Sequence, residues 1–215
     1  MKLLVVAATQ KELTKVFEHF NLPEQDFIET PHFDVLITGV GMTATAFALG
    51  KHLSSAYNLV LNVGIAGSFD INIPLANLVT VETDVLAELG AEDHDNFLTI
   101  DELGFGTNTF SATYFLSYLQ QVNAITVNKV HGNAESIQTI LKRFNPAVES
   151  MEGAAVFYAC NKLNIPCAQV RAISNYVEPR NRDNWQIGMA VKKLNDWLIN
   201  FITTTVLNIF EKHLQ

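Results

Sequence analysis

Three polar residues have side chains suited to acid–base chemistry, and two of them, Glu12 and Asn175, stand after strand-like segments. Glu12 closes the run "ATQKE", Glu152 interrupts the largely apolar "ESMEGAAVFYA", and Asn175 ends "VRAISN". A carboxylate can take a proton from water, and an amide offers two N–H donors and one carbonyl acceptor. Because ligands bind outside the carboxyl ends of the strands in open, mostly parallel α/β sheets, these residues are the first candidates for function.

Each candidate also has a purely structural interpretation. Thr9 and Glu12 have the spacing of a helix capping box. Glu152 would complement the positive end of a helix dipole if a helix begins just before it. Asn175 could be a turn asparagine, and Arg171 could be a partner in a structural ion pair. The residue types alone leave the structural and the functional interpretation open.

Two glycine-rich turns follow successive strand-like segments. "GVGMTA", residues 39–44, fits the G-x-G-x-x-A pattern and raises a dinucleotide-binding alternative. That fingerprint expects an acidic residue about 20 positions further on, at the end of the next strand. Here the position is taken by a second glycine turn, "LNVGIAGSFD", with no acid before Asp70. The two turns indicate instead that the backbone comes close to one small ligand.

The composition limits the partners. With 215 residues, of which 48% are hydrophobic and 17% charged, the chain can form a sizeable core, and one domain over 1–215 is expected. The net charge of −8 disfavours a nucleic-acid surface. The stretch Trp197–Phe210 is shorter than the roughly 20 apolar residues of a membrane span, and the apolar run near Met1 is too short for a signal peptide. We expect a cytoplasmic protein with small-molecule partners, no nucleic acid and no membrane.

No metal and no other cofactor is expected. The acidic cluster "EDHDN", residues 92–96, contains one histidine, and no second histidine stands at a ligand spacing. Cys160 and Cys167 match no metal or redox motif and are expected to be small buried residues.

The pattern of apolar segments predicts an α/β fold, because short β-branched runs alternate with helix-like stretches. The predicted strands cover 3–8, 35–40, 59–64, 78–86, 125–130 and 167–174. The predicted helices are Gln10–Phe20, Met42–Tyr57, Ala134–Phe144, Glu152–Leu163 and a C-terminal helix that carries Leu194, Trp197, Leu198, Phe201 and Ile202. The segment 87–109 is predicted to be a long irregular loop, of the kind that often forms a lid or binding loop.

The order of these motifs resembles the nucleoside phosphorylase and nucleosidase superfamily, and most of all its methylthioadenosine/S-adenosylhomocysteine nucleosidase and futalosine hydrolase families. The resemblance covers nearly the whole chain, and its most specific parts are "SMEGAA" and "RAISN". It implies a single three-layer α/β/α domain with a mostly parallel central mixed sheet. The motifs that carry it are "AATQKE", "TGVGMTATA", "NVGIAGSFD", "ESMEGAAVFYAC" and "VRAISN".

The resemblance also implies roles for the candidate residues. Glu152 would accept hydrogen bonds from the ribose hydroxyls while Met151 packs against the sugar, and Glu12 would hold and deprotonate the attacking water. Adenine-specific nucleosidases have an aspartate where this chain has Asn175. An amide cannot donate a full proton and suits a base with a carbonyl at its six-position, which is hypoxanthine. The implied reaction is the hydrolysis of futalosine to hypoxanthine and dehypoxanthinylfutalosine, a step of menaquinone biosynthesis.

The nucleophile is predicted from the arginines. Phosphorylases of the superfamily gather arginines around phosphate, mostly from the N-terminal half, and this chain has none before Arg143. Water is therefore the expected nucleophile, although Lys11 or Lys51 could still bind a phosphate. The alternatives are a methylthioadenosine/S-adenosylhomocysteine nucleosidase, a purine nucleoside phosphorylase, or a non-enzymatic protein that binds a purine nucleoside or a dinucleotide.

Further residues are expected to contact the substrate. Gly41 and Gly67 would let the backbone approach it, and Val130, in the loop 127–133, would line the base or sugar pocket. Arg180, or Arg182, would bind a substrate carboxylate, and Trp185 would stack on its aromatic group; a solvated loop is the alternative for these residues. Because the segment equivalent to 87–109 crosses a dimer interface in related nucleosidases, a homodimer or a higher homo-oligomer is expected.

Overall fold

The computed structural model describes residues 2–207. The predicted domain range 1–215 and the stretch Trp197–Phe210 extend beyond these residues. Within them the strands are β1 Leu3–Ala7, β2 Phe27–Ile28, β3 Phe33–Ile37, β4 Leu59–Ser68, β5 Leu78–Leu86, β6 Gly90–Asp93, β7 Asn96–Thr99, β8 Thr109–Ser111, β9 Gln120–Thr126, β10 Val148–Ser150 and β11 Cys167–Tyr176. The α-helices are α1 Thr14–Phe20, α2 Met42–His52, α3 Ala134–Phe144, α4 Gly153–Leu163 and α5 Ile187–Phe201, with 3₁₀ turns at Gln10–Leu13 and Arg182–Asn184 and a π-helical end at Ile202–Leu207.

The large sheet is mixed and partly closed. Its strand order is β10-β9-β5-β11-β4-β1-β3-β2, and β8 pairs with β5. The short strand β10 pairs in parallel with β9 and also, in antiparallel orientation, with the end of β4. This second pairing closes β10, β9, β5, β11 and β4 into a barrel-like ring. The α/β class is confirmed, and the closure is a feature that the sequence pattern did not predict.

Helices cover both faces of the sheet, which explains why the strands are apolar on both sides. In β1, Leu3 and Val5 pack in the cluster beneath α1 and α5, whereas Leu4 and Val6 pack in the cluster beneath α2 and α4. Because successive side chains of a strand point to opposite faces of the sheet, one strand contributes to both hydrophobic cores. Cys160 and Cys167 are free and buried, as predicted. No helix within residues 2–207 is long and apolar enough to cross a membrane.

Several predicted boundaries were wrong for local reasons. The strand predicted at 125–130 is β9, Gln120–Thr126, because the N–H of Asn128 turns to the Glu88 carboxylate at 3.0 Å instead of continuing the ladder. The helix predicted at Met42–Tyr57 ends at His52, since Leu53 is extended and serines follow. The first part of the predicted helix Gln10–Phe20 is a 3₁₀ turn.

The segment 87–109 is not wholly irregular, contrary to the prediction. It contains the hairpin β6–β7, which turns at His94 with a positive φ of 56°, and it leads into β8. The strands β2, β8 and β10 have only two or three residues and carry too short a pattern to be recognised in the sequence. Residues 2–207 contain no group of three or more His, Cys, Asp or Glu side chains that could hold a metal ion.

Candidate active site

Four strand ends surround one cavity of about 530 Å³. The segments that end or follow β1, β4, β10 and β11 contribute Glu12, Gly67, Glu152 and Asn175 to its wall. These ends lie together because β4 pairs with the other three strands. The residues predicted to do chemistry therefore face the same space.

The remaining predicted contacts are placed as follows. Met151, Val130, Arg180 and Trp185 line the cavity. Gly41 is not one of the lining residues, but its N–H donates to the carboxylate of Glu152, which does line the cavity. Lys11 lies at the cavity wall, whereas Lys51 does not.

Glu12 is held by three donors and is only 9% exposed. Its Oε1 accepts the N–H of Ile65 at 3.1 Å. Its Oε2 accepts the N–H of Thr9 at 3.0 Å and the hydroxyl of Thr9 at 3.2 Å. The bond from the Thr9 N–H is the capping interaction that the spacing predicted, and it fixes the carboxylate at the cavity wall. The structural and the functional interpretation are therefore compatible for this residue.

The environment favours a Glu12 that accepts protons more readily than an exposed carboxylate. Burial raises the pKa of Glu12 above its ordinary value, and the negative charge of Glu152 adds to the rise. The Ile65 N–H, the charge of Arg171 and the Thr9 N–H act in the opposite direction. A buried carboxylate with a raised pKa beside a cavity has the properties of a general base.

Arg171 lies behind Glu12 and is only 1% exposed. It was expected to form an ion pair, but its guanidinium has no ion-pair partner among residues 2–207. It donates instead to the side-chain carbonyls of Gln169, at 2.7 Å, and Asn62. Gln169 in turn donates to Asp84 at 2.9 Å. Burial raises the pKa of Asp84 to about 6 despite these bonds. The positive charge of Arg171 therefore lowers the pKa of two buried acids, Asp84 and Glu12, without an ion-pair contact to either.

Glu152 precedes the first turn of α4 and is buried. Its Oε1 accepts the N–H of Gly41 at 2.9 Å. Gly41 has φ +94°, in a region that residues with a Cβ rarely adopt, so the glycine turn is what aims this N–H at the carboxylate. The Oε2 atom has no hydrogen-bond partner among the described residues. The arrangement leaves one carboxylate oxygen of Glu152 for a ligand at the cavity.

Asn175 is aimed by a β-bulge. The register between β11 and β4 shifts between Ile173 and Asn175, so that Ser174 is the extra residue. The Ser174 hydroxyl donates to Oδ1 of Asn175 at 2.8 Å, and Nδ2 donates to the carbonyl of Tyr176 at 3.0 Å. The acceptor of the amide is thus engaged, and its second N–H is left for a ligand.

The sheet register also forms a slot over Gly67. Gly67 pairs with Asn175 of β11 on one side and with Glu149 of β10 on the other. Residues paired across adjacent strands point to the same face of a sheet. A Cβ on Gly67 would lie 3.3 Å from Nδ2 of Asn175 and 3.6 Å from Cγ of Glu149. A side chain at position 67 would crowd both neighbours, so the glycine lets Asn175 and Glu149 come close together at the cavity wall. We call this part of the wall, formed by Gly67, Asn175 and Glu149, the slot.

His131 and Glu149 also line the cavity. His131 lies in the loop 127–133 that was expected at the pocket, but no role was predicted for either residue. Nδ1 of His131 lies 2.6 Å from Oε2 of Glu149, and the backbone N–H of His131 donates to Oε1 at 3.0 Å. Glu149 stands three residues before the recognised Glu152, and no motif marks His131. Only the closure of the sheet by β10 brings the two together. A sequence signal for them was absent.

The predicted cation and aromatic ring stand at the mouth of the cavity. The guanidinium of Arg180 lies 5.1 Å from the centre of the Trp185 ring, and that of Arg182 lies 5.7 Å from it. The N–H of Arg180 donates to the carbonyl of Gly132 at 3.1 Å, which ties this segment to the loop that carries Val130. Arg182 is not among the lining residues.

Comparisons with known proteins identify the family and the fold. The family model described as "Phosphorylase superfamily" matches residues 2–203. A futalosine hydrolase from Streptomyces coelicolor is 33% identical over 91% of this chain and 93% of its own length. A futalosine hydrolase from Thermus thermophilus is 27% identical over 75% of this chain and 77% of its own.

Solved structures show the same fold. The native futalosine hydrolase of Helicobacter pylori superimposes with a TM-score of 0.79 at 18% identity and covers 94% of this chain and 97% of that one. The 5′-methylthioadenosine/S-adenosylhomocysteine nucleosidase of Helicobacter pylori, bound to butyl-thio-DADMe-Immucillin-A, has a TM-score of 0.79 at 18% identity, with 94% and 98% covered.

Gly67→Ala tests the slot. The new Cβ would stand 3.0 Å from Cγ2 of Val177 and 3.3 Å from Nδ2 of Asn175, so the Asn175 amide would have to shift, and we expect a purine base such as hypoxanthine to bind at least about ten-fold more weakly, roughly 1.4 kcal/mol. Isothermal titration calorimetry measures the change. Gly188→Ala is the matched control, because Gly188 also lines the cavity and a Cβ there meets nothing within 4 Å. Equal affinity in both variants would refute the slot.

Proposed function

The chain belongs to the phosphorylase superfamily, and on that premise we propose that it hydrolyses the N-glycosidic bond of futalosine, releasing hypoxanthine and dehypoxanthinylfutalosine in menaquinone biosynthesis. The family match and the futalosine hydrolase relatives indicate an N-glycosyl hydrolase. The observation that carries the finer proposal is the convergence of Glu12, Glu152 and Asn175 on one cavity.

Glu12 is the proposed general base. Cleavage of the glycosidic bond leaves positive charge on the ribose, and a water that loses its proton to Glu12 attacks the anomeric carbon. The raised pKa of Glu12 supports this role, because a base must hold the proton that it takes. Such help is worth roughly two to four orders of magnitude in rate.

Glu152 is the proposed partner of the ribose. Its Oε2 is available to accept from a sugar hydroxyl, while the Gly41 N–H fixes Oε1. Its negative charge also favours the positive charge that develops on the sugar, so it stabilises the transition state more than the ground state. Met151, next to it in the cavity wall, is placed to pack against the sugar.

Asn175 is the proposed reader of the base. The Ser174 hydroxyl occupies Oδ1, and one N–H of Nδ2 remains for an acceptor. The six-position of hypoxanthine is such an acceptor, whereas the amine of adenine would set donor against donor. A site that leaves a buried donor unpaired rejects the wrong ligand strongly. This supports a 6-oxopurine over the adenine nucleosides of the alternative nucleosidase function.

The charges of the cavity support water over phosphate as the nucleophile. The lining residues include the carboxylates of Glu12, Glu149, Glu152 and Glu178. Among the described residues at the wall, the positively charged lysine and arginine side chains are those of Lys11 and Arg180. Arg180 stands with Trp185 at the mouth. A phosphate would face more negative than positive groups. Arg180 and Trp185 are instead proposed to bind the aromatic carboxylate at the far end of futalosine.

A homodimer or higher homo-oligomer is also proposed. Phe47 of α2 and Val40, just before that helix, are exposed, and Val40 lines the cavity. A second copy of the chain that packs on this apolar face would also narrow the opening of the cavity beside Val40. Location in the cytoplasm, the absence of nucleic-acid and membrane partners and a single domain over 1–215 remain predictions.

The oligomer is tested by sedimentation. We expect a dimer or a multiple of it for the wild type, and dissociation for Phe47→Glu, since the new charge would be buried in the interface. Glu18→Gln, an exposed change on α1, is the control. A monomeric wild type at micromolar concentration would contradict the proposal.

Glu12→Gln tests the base. The amide cannot accept a proton from water, so kcat for hypoxanthine release from futalosine should fall by about 10² to 10⁴ with KM little changed. In the wild type, activity should be lost as the pH falls through a value above the ordinary 4.5 of a glutamate, because Glu12 must be deprotonated and burial raises its pKa. Chromatography of the released base measures both. Glu18→Gln is the control and should be as active as the wild type. A fully active Glu12→Gln would refute the proposed mechanism.

Asn175→Asp tests the specificity. A carboxyl group can donate a proton to the imidazole ring of adenine and accept from its amine, so we expect the ratio of adenine release from methylthioadenosine to hypoxanthine release from futalosine to rise at least about ten-fold. The measurement is kcat/KM for both substrates. An unchanged ratio would mean that Asn175 does not read the base.

A further inference from the structure

The proposed mechanism leaves the departing base without a proton donor. When the bond between the ribose and the purine breaks, its electron pair stays on the purine, and a proton delivered to the ring lowers the barrier. Asn175 can donate a hydrogen bond but cannot give up a proton at neutral pH. A titratable group of the cavity can supply this proton.

The His131–Glu149 pair has the geometry of an oriented acid. Glu149 is 3% exposed, and both of its oxygens are engaged by His131, one by the backbone N–H and one by Nδ1. The carboxylate therefore fixes the ring and stabilises positive charge on it, as the acidic member of a catalytic triad does. The Nε2 atom has no hydrogen-bond partner among residues 2–207. The free side of the ring can meet a ligand.

The pair stands next to the residue that reads the base. Glu149, Gly67 and Asn175 occupy one row across β10, β4 and β11. The centres of strands on either side of a shared neighbour are roughly 9–10 Å apart, so His131 on the β10 side and Asn175 on the β11 side can both contact one purine in the cavity that they line. On hypoxanthine the carbonyl at the six-position and N7 lie side by side. A donor on each flank of the slot can therefore serve these two atoms.

The other titratable groups of the cavity are less suited to this step. The hydroxyl of Tyr176 donates to the carbonyl of Ile73 at 3.2 Å. Glu178 accepts from Asn184 at 2.8 Å, and the guanidinium of Arg180 lies 5.1 Å from the centre of the Trp185 ring. Lys11 is exposed beside Glu12, where the water is proposed to bind.

We propose that His131, oriented by Glu149, is the general acid that protonates the departing 6-oxopurine. The inference rests on the proposed function. The proton on Nε2 moves to N7 as the bond between C1′ and N9 breaks, and the electron pair of that bond goes to the purine. Glu12 takes one proton from water as the water oxygen bonds to C1′. The products are neutral hypoxanthine and the free sugar, and one proton passes from Glu12 to His131 through solvent to restore the enzyme.

The His131 ring can take up this returning proton from solvent. His131 also lines a neighbouring, more open groove together with Glu88 and Glu135. Its side chain is 12% exposed. The histidine therefore separates the proposed base slot from solvent and can exchange its proton with water between turnovers.

His131→Ala with futalosine is the test. Without the acid, kcat for hypoxanthine release should fall by about 10² to 10⁴ while KM changes only a few-fold. Added imidazole fills the space of the lost ring and should restore at least about a tenth of the lost rate, because it can carry the same proton. Glu149→Gln keeps the size but loses the charge and should lower kcat less than His131→Ala does.

Asn175→Ala is the matched control on the other flank of the slot. It should raise KM for futalosine, and imidazole should not restore it. A His131→Ala enzyme with kcat within about three-fold of the wild type, or with a loss that imidazole does not restore, would overturn the inference, since general-acid help is worth far more. A wild type that releases no hypoxanthine from futalosine would instead overturn the proposed function and the inference with it.

Discussion

The double pairing of β10 determines where the groups of the site stand. This three-residue strand pairs in parallel with β9 and in antiparallel orientation with the end of β4. The pairing places Glu149 opposite Gly67 and delivers Met151 and Glu152 to the cavity at the start of α4. On the other side of β4, the bulge at Ser174 sets Asn175 in the same row. Without the closure, β10 would stand at the edge of an open sheet, three strands away from β11 and Asn175.

The site tolerates several buried charges because each carboxylate is held by donors. Glu12 accepts from Ile65 and Thr9, and Glu152 accepts from Gly41. A bound backbone N–H offsets part of the cost of burial and fixes the direction of the remaining lone pairs. The buried guanidinium of Arg171 supplies positive charge behind Glu12 while it bonds only to neutral amides among the described residues. The result is an acidic cavity in which Oε2 of Glu152 has no hydrogen-bond partner among the described residues.

The elements that follow simple periodicity were predictable, and those fixed by pairing were not. β1, with alternate residues in two cores, and α3, predicted at Ala134–Phe144, were recognised from their apolar patterns. The strand-end positions of Glu12 and Asn175 and the helix-start position of Glu152 followed from the same patterns. β10 is too short to show a period, and a bulge depends on the register of two strands. The His131–Glu149 contact joins a loop to that hidden strand, so it could be seen only in the folded chain.

The central claim is that this cavity directs water, and not phosphate, to the anomeric carbon of a 6-oxopurine nucleoside. The most direct test is to react futalosine in ¹⁸O-water, with and without phosphate, and to weigh the sugar product by mass spectrometry. The account predicts hypoxanthine, one ¹⁸O atom at the anomeric carbon of the sugar and a rate independent of phosphate. A sugar phosphate, a phosphate requirement or no release of hypoxanthine from futalosine would contradict it.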